Sequence, residues 1–196
     1  MKLPSSMENL VGNDSRLEEV VRHIGIGVND VRFIGICGMG GIGKTTIARR
    51  VYETIRSEFK ASCFLVNVRE TREKRGIVQI QKQLLASMNI NSGTFNDEFE
   101  GKGIIRDSLC CKKVLLVLDD VDNEGQLENL AGEQDWFGPG SRIIITTRDT
   151  HVLEVHGAVN RICKVEGLEQ NEALELFYLN AFRRPKPIVM AFHWHL

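Results

Sequence analysis

The sequence carries almost no net charge. Its 25 lysines and arginines offset 26 aspartates and glutamates, leaving a formal charge of −1 at pH 7. Domains that bind nucleic acid through its phosphates ordinarily show a strongly basic face, so this balance argues against a direct nucleic-acid partner. No apolar run approaches the ~18 residues a membrane-spanning helix needs, so no membrane span is expected. The start, Met1-Lys2-Leu3-Pro4-Ser5-Ser6, lacks the apolar segment of a secretory signal peptide. Cysteine is scarce and odd in number: Cys37, Cys63, Cys110, Cys111 and Cys163, with no C-x-x-C pair. Three of them sit in apolar, strand-like runs. They read as reduced, mostly buried thiols of an intracellular (cytoplasmic) protein, and their spacing offers no zinc site.

What the chain does have is enough length and apolar content for one globular domain: 196 residues, 42% hydrophobic. Its organising stretch is Gly38-Met39-Gly40-Gly41-Ile42-Gly43-Lys44-Thr45-Thr46. An apolar, β-branched run over 31–36 precedes it, and helical spacing follows at Ile47, Val51 and Ile55. Strand, glycine loop and helix N-terminus together make the phosphate-binding P-loop, G-x-x-x-x-G-K-[ST]. The glycines let successive backbone N–H groups turn inward around an anion, and the helix adds its unpaired N–H groups and positive dipole end. Lys44 can then reach the β- and γ-phosphates, and the Thr45 hydroxyl can ligate Mg²⁺.

Elsewhere the pattern alternates strand and helix. Ser15-Arg16-Leu17-Glu18 reads as a capping box opening a helix whose apolar face is Leu17, Val20, Val21 and Ile24. With Val11-Gly12 just ahead, that segment either walls an adenine ring or simply packs on the core. Residues 63–68 read as a second strand, 69–75 as a charged surface loop and 76–88 as a helix. Residues 89–100 read as a polar loop. A weak helix follows around Ile104, Ile105 and Leu109, weakened further by Gly101 and Gly103.

Val114-Leu115-Leu116-Val117-Leu118 cannot alternate faces, so the strand should be buried on both sides, as in a parallel sheet. It ends in Asp119-Asp120, the pattern of a Walker B element. Asp119 would hold Mg²⁺, and Asp120 would orient or deprotonate an attacking water; without a P-loop, the pair would read as helix caps. A further strand, 143–147, ends at Arg148. Ligands of open α/β sheets lie at the carboxyl ends of strands, which places Arg148 to sense a terminal phosphate; otherwise it is a surface arginine. A short fifth strand over 161–165 and a helix over 171–182 follow. Composition breaks at Arg183-Arg184-Pro185-Lys186-Pro187, and His193 and His195 find no further metal ligands there. The expected organisation is a leader (1–9), an α/β domain (10–182) with a parallel five-stranded sheet and helices on both faces, and a divergent tail (183–196).

In order, residues 38–46, 59–64, 113–122, 138–149 and 164–182 resemble the successive motifs of the NB-ARC domain of plant disease-resistance proteins. The resemblance implies an ADP/ATP switch in an intracellular immune receptor, with Mg²⁺. It places Lys44, Thr45, Asp119, Asp120 and Arg148 in the roles argued above, and Val11-Gly12 at the adenine pocket. It also implies that the Arg148 strand lies between the P-loop and Walker B strands. Asp122, where coiled-coil members tend to carry Trp, resembles the branch with a Toll/interleukin-receptor (TIR) domain. The family's Gly-Leu-Pro-Leu and Met-His-Asp motifs are not found, nor is a TIR or leucine-rich-repeat sequence. The chain is therefore expected to be the nucleotide-binding subdomain alone, meeting other receptor domains or chains and hydrolysing ATP slowly if at all. A productive ATPase or kinase would need a lid, which only the 89–100 loop offers. A non-catalytic interaction fragment is the remaining class.

Overall fold

A computed structural model describes residues 15–167. In chain order the elements are α1 (Ser15–Ile24), β1 (Arg32–Cys37), α2 (Lys44–Ile55), β2 (Ala61–Leu65), α3 (Val68–Arg75) and α4 (Ile77–Ser87). They continue with α5 (Glu98–Leu109), β3 (Val114–Val121), α6 (Glu124–Leu130), β4 (Arg142–Thr147), α7 (Thr150–Val155) and β5 (Arg161–Lys164). The leader, Val11 and Gly12, the helix expected at 171–182 and the tail lie outside the described residues.

The five strands form one parallel sheet in the order β2-β3-β4-β1-β5. β4, which leads into Arg148, lies between the P-loop strand β1 and the acidic strand β3, as the family resemblance implied. Side chains alternate across the sheet, and each face has its own core. Leu116, Leu118, Phe33 and Ile145 pack with Leu84 of α4 and Ile105 of α5. Leu115, Val117, Ile34 and Ile144 pack on the other side with Leu17 of α1 and Val51 of α2. Burial of each such side chain contributes on the order of 1.5–3 kcal/mol, so the central strands hold both helical layers in place. α1 buries the whole face that its spacing predicted, Leu17, Val20, Val21 and Ile24. The helix packs on the core; Val11 and Gly12, on which the adenine reading rests, lie outside the described residues.

The local readings differ from the structure in three places. The charged stretch after Val68 is not a loop but the helix α3, of which only Val68 is buried. A helix with one apolar residue shows no periodicity; here Arg, Glu and Lys supply propensity and Glu70 pairs with Lys74 one turn on. The second strand runs 61–65 rather than 63–68. The α5 helix begins at Glu98, earlier than expected, because Asp97 caps it by accepting from the amides of Phe99 (2.8 Å) and Glu100 (3.2 Å).

The two glycines of α5 have opposite reasons to be there. A Cβ at Gly101 would stand 2.2 Å from Gln81 Oε1 and 2.5 Å from the Phe95 ring, whereas one at Gly103 would meet nothing within 4 Å. Gly101→Ala is therefore expected to cost about 2 kcal/mol by overpacking. Gly103→Ala is expected to stabilise by about 1 kcal/mol through helix propensity. Urea unfolding of the two variants measures this; a gain at both positions would mean that Gln81 and Phe95 move aside freely.

β4 begins with Arg142, fully buried and overlooked in the sequence. Its guanidinium donates to the carbonyls of Ile24, Gly25 (2.8 Å), Val28 (2.9 Å) and Asp30 (2.6 Å). The α1–β1 link is thereby tied to the base of the sheet, at the end opposite the P-loop. A buried charge is tolerated there because every one of these bonds has an acceptor.

Candidate functional site

Because all strands are parallel, their carboxyl ends meet at one edge. There the loop 38–43, the end of β3, the end of β4 and the loop after β2 surround a cleft of about 260 Å³. Gly40, Gly41, Gly43, Lys44, Thr45 and Thr46 line one wall; Asn67, Asp120, Thr146 and Arg148 line the rest. None of residues 89–100 lines it, so the loop considered as a lid is not at this site.

Gly43 caps α2 with φ 101, a conformation that strains any residue with a Cβ. The first turn of α2 leaves its N–H groups without intrahelical partners, and Lys44, Thr45 and Thr46 of that turn line the cleft. Gly38 and Met39 pass beneath as acceptors: Lys44 Nζ donates to both carbonyls, each at 2.8 Å. Burial lowers the Lys44 pKa, with help from the Arg148 charge and against the pull of Asp120 and Asp119. A phosphate here would restore the balance by supplying negative charge. Met39 itself is exposed, and Ile42 packs against the α1–α2 core.

The two acidic residues have different environments. Asp119 is buried, and its Oδ1 accepts from Thr45 Oγ1 at 2.7 Å and Thr146 Oγ1 at 2.8 Å. Its Oδ2 is also buried but has no hydrogen-bond partner. A buried carboxylate oxygen without a donor is costly, and a divalent cation held jointly with Thr45 would satisfy it. Asp120 sits in the left-handed region at φ 57, at an irregularity in the β3–β4 register between Leu118 and Val121. For a non-glycine residue this conformation costs on the order of 1–3 kcal/mol and persists only where neighbours enforce it. They do: the Asp120 amide donates to Thr146 Oγ1 at 2.9 Å, while Arg69 (3.0 Å) and Arg148 (3.3 Å) hold the carboxylate.

Sequence reading missed Thr146, Asn67 and Arg69. Thr146 accepts from the Asp120 amide and donates to Asp119, so one hydroxyl couples both acids. Its signal was a hydroxyl at the penultimate position of a central parallel strand. Asn67 (φ 52) and Asp120 are two of the three non-glycine residues with positive φ among those described, and both line the cleft. Asp122 lies away from it. Its amide donates to Gln126 Oε1 (3.0 Å) and its carboxylate accepts from Gln126 Nε2 (2.8 Å), closing a ring at the start of α6.

Cys37, Cys63 and Cys163 are buried; Cys110 and Cys111 are exposed. Burial pushes the Cys63 thiol up to about 11 and the Cys163 thiol to about 12. Cys163 does have neighbours that spacing could not show, since its Sγ and ligand atoms of Glu19 and His23 lie within 4.8 Å of one another. Glu19 and His23 already face each other one helical turn apart at 3.8 Å.

The model of the NB-ARC domain family matches residues 13–186. The chain belongs to the NB-ARC family. This NB-ARC chain is 43% identical over 190 residues to TMV resistance protein N of Nicotiana glutinosa, covering 93% of the chain and 16% of that protein. It is 44% identical over 181 residues to disease resistance protein RUN1 of Vitis rotundifolia, covering 91% of the chain and 14% of that protein. The NB-ARC chain therefore spans well under a fifth of the length of these curated relatives. Both relatives are resistance proteins by name. Among solved structures, CDC6P from Pyrobaculum aerophilum superposes with a TM-score of 0.66 at 16% identity, covering 95% of this chain and 52% of that one. At that identity the likeness is one of fold. No helix of the described residues is long and apolar enough to cross a membrane.

Proposed function

We propose that this NB-ARC domain is an ADP/ATP-binding switch module of an intracellular plant immune receptor, with slow ATP hydrolysis or none. The observation that carries the reading is the meeting of three elements at one cleft, with Asp119 buried just behind its lining and joined to it through Thr45 and Thr146. These are a glycine cradle with Lys44, the Thr45–Asp119 pair with one unpartnered buried oxygen, and Arg148. In this reading Gly38, Gly40, Gly41 and Gly43 with Met39, Ile42 and Thr46 form the loop around the phosphates, and Lys44 offsets their charge. Thr45 and Asp119 would hold Mg²⁺, which when bound neutralises phosphate charge and polarises the terminal phosphoryl group. Val11 and Gly12 are proposed to line the adenine side.

Asp120 is the proposed base and Arg148 the sensor of the terminal phosphate. Both oxygens of Asp120 are engaged by guanidinium groups, so an attacking water finds its base already partnered. That arrangement supports slow turnover. The length of the relatives supports other receptor domains, or other receptor chains, as the partners through which nucleotide state is read out.

Bound nucleotide extracted from the purified chain, followed by titration with ADP and Mg²⁺, tests the reading; no binding would overturn it. Asp120→Ala is expected to keep ATP affinity within about twofold and slow single-turnover hydrolysis by on the order of 10². Unchanged turnover would move the base elsewhere.

A further inference from the structure

We infer that Arg69 is a positioning residue that fixes Asp120 for use in the cleft, an inference that rests on the switch reading above. Arg148 and Arg69 do not hold Asp120 in the same way. Arg148 Nε approaches Oδ1 at 3.3 Å, and its side chain is 54% exposed. It also lines the cleft and reaches the P-loop, since a Cβ on Gly40 would stand 3.4 Å from its Nη1. Arg69 Nη2 approaches the other oxygen, Oδ2, at 3.0 Å, is 34% exposed, and is not among the cleft-lining residues. Arg148 therefore has a choice between Asp120 and a phosphate, and Arg69 has none.

The backbone on which Arg69 rides is itself fixed. Asn67 takes the left-handed conformation before α3, Val68 is buried in the core, and Arg69 follows in the first turn. Its neighbour Glu70 makes its ion pair with Lys74, one turn on. Asp120 is strained, with its amide held by Thr146 and its carboxylate held on one side by Arg69. When Arg148 turns to a terminal phosphate, Oδ1 alone is released toward the cleft, and Oδ2 stays clamped. Arg69 thereby sets the direction in which Asp120 accepts a proton from water. It acts through Asp120 rather than on the nucleotide.

Two measurements on the whole chain test this. The first is urea unfolding without nucleotide, in a cycle of Arg69→Ala with Asp120→Gly, since glycine adopts φ 57 freely. Arg69→Ala is expected to lower the midpoint when Asp120 is present and to leave it unchanged beside Asp120→Gly. Equal losses in both backgrounds would overturn the inference. The second is single-turnover ATP hydrolysis beside ADP and ATP affinities. Arg69→Ala should slow turnover by on the order of tenfold to a hundredfold with both affinities unchanged, Arg69→Lys should recover part of the rate, and adding Arg69→Ala to Asp120→Ala should cost nothing more. Weakened ATP affinity with an additive loss beside Asp120→Ala would mean that Arg69 contacts phosphate itself, and would overturn the inference. Failure of the unmodified chain to bind ADP would sink the switch reading instead, and the unfolding cycle would still decide the pairing.

Discussion

Lys44→Ala is expected to weaken ADP binding by roughly a hundredfold, about 2.7 kcal/mol, while leaving cooperative unfolding intact. The magnitude follows from what the ammonium does: bonds to charged acceptors contribute about 1.5–3 kcal/mol each when desolvated, and the Lys44 ammonium lies at the wall of the cleft. The small effect on the fold follows from what it touches. Its two acceptors are carbonyls of Gly38 and Met39 on a loop whose Met39 side chain is 78% exposed, so water replaces the lysine. Burial also disfavours the charged form of Lys44, so deleting it relieves a desolvation cost. Calorimetric titration with ADP and a thermal melt, run on both proteins, check the two halves. Unchanged affinity would remove Lys44 from the phosphate site; loss of cooperative unfolding would make it a structural residue.

The second large effect is expected at Asp119. Asp119→Ala removes the carboxylate that accepts from the Thr45 hydroxyl and the buried Oδ2 that has no partner of its own among the described residues. Addition of Mg²⁺ should strengthen ATP binding to the unmodified chain on the order of a hundredfold and leave the variant unmoved. In a melt with nucleotide saturating both with and without Mg²⁺, the same contrast appears as an Mg²⁺-dependent gain in the unmodified chain alone, about 2.7 kcal/mol for a hundredfold change in affinity. The fold should lose about 1–2 kcal/mol, because Thr146 keeps the Asp120 amide as a donor and Thr45 turns to solvent. Equal Mg²⁺ responses in the two proteins would place the cation, if any, elsewhere.

The residues that could be read in advance are those whose chemistry is written locally. The loop 38–46 has its glycines, lysine and threonine in consecutive positions, and the run 114–118 has no polar face, so both their structure and their place in a parallel sheet followed from the chain itself. The apolar face of α1 was legible for the same reason: Leu17, Val20, Val21 and Ile24 repeat at the helical period and are buried as that period requires. By contrast, α3 has no period to read, because Val68 alone anchors it. The early start of α5 was carried by Asp97, a cap that competes for attention with a polar loop. Gly101 and Gly103 look alike in sequence and differ only in what stands opposite them.

The sequence by itself determined that the chain has a phosphate loop, a two-faced parallel sheet and an acidic strand end. Each depends on neighbours within one element, and periodicity records those. Only the tertiary structure decided that Thr146 couples Asp119 to Asp120, that Asp120 is held in a left-handed conformation, and that Arg69 shares its carboxylate with Arg148. Those contacts, at about 3 Å, join β3, β4 and α3 across the sheet edge. They exist because strand order, register and one irregularity in β3 bring distant segments together, and no residue pattern within a single segment specifies that register.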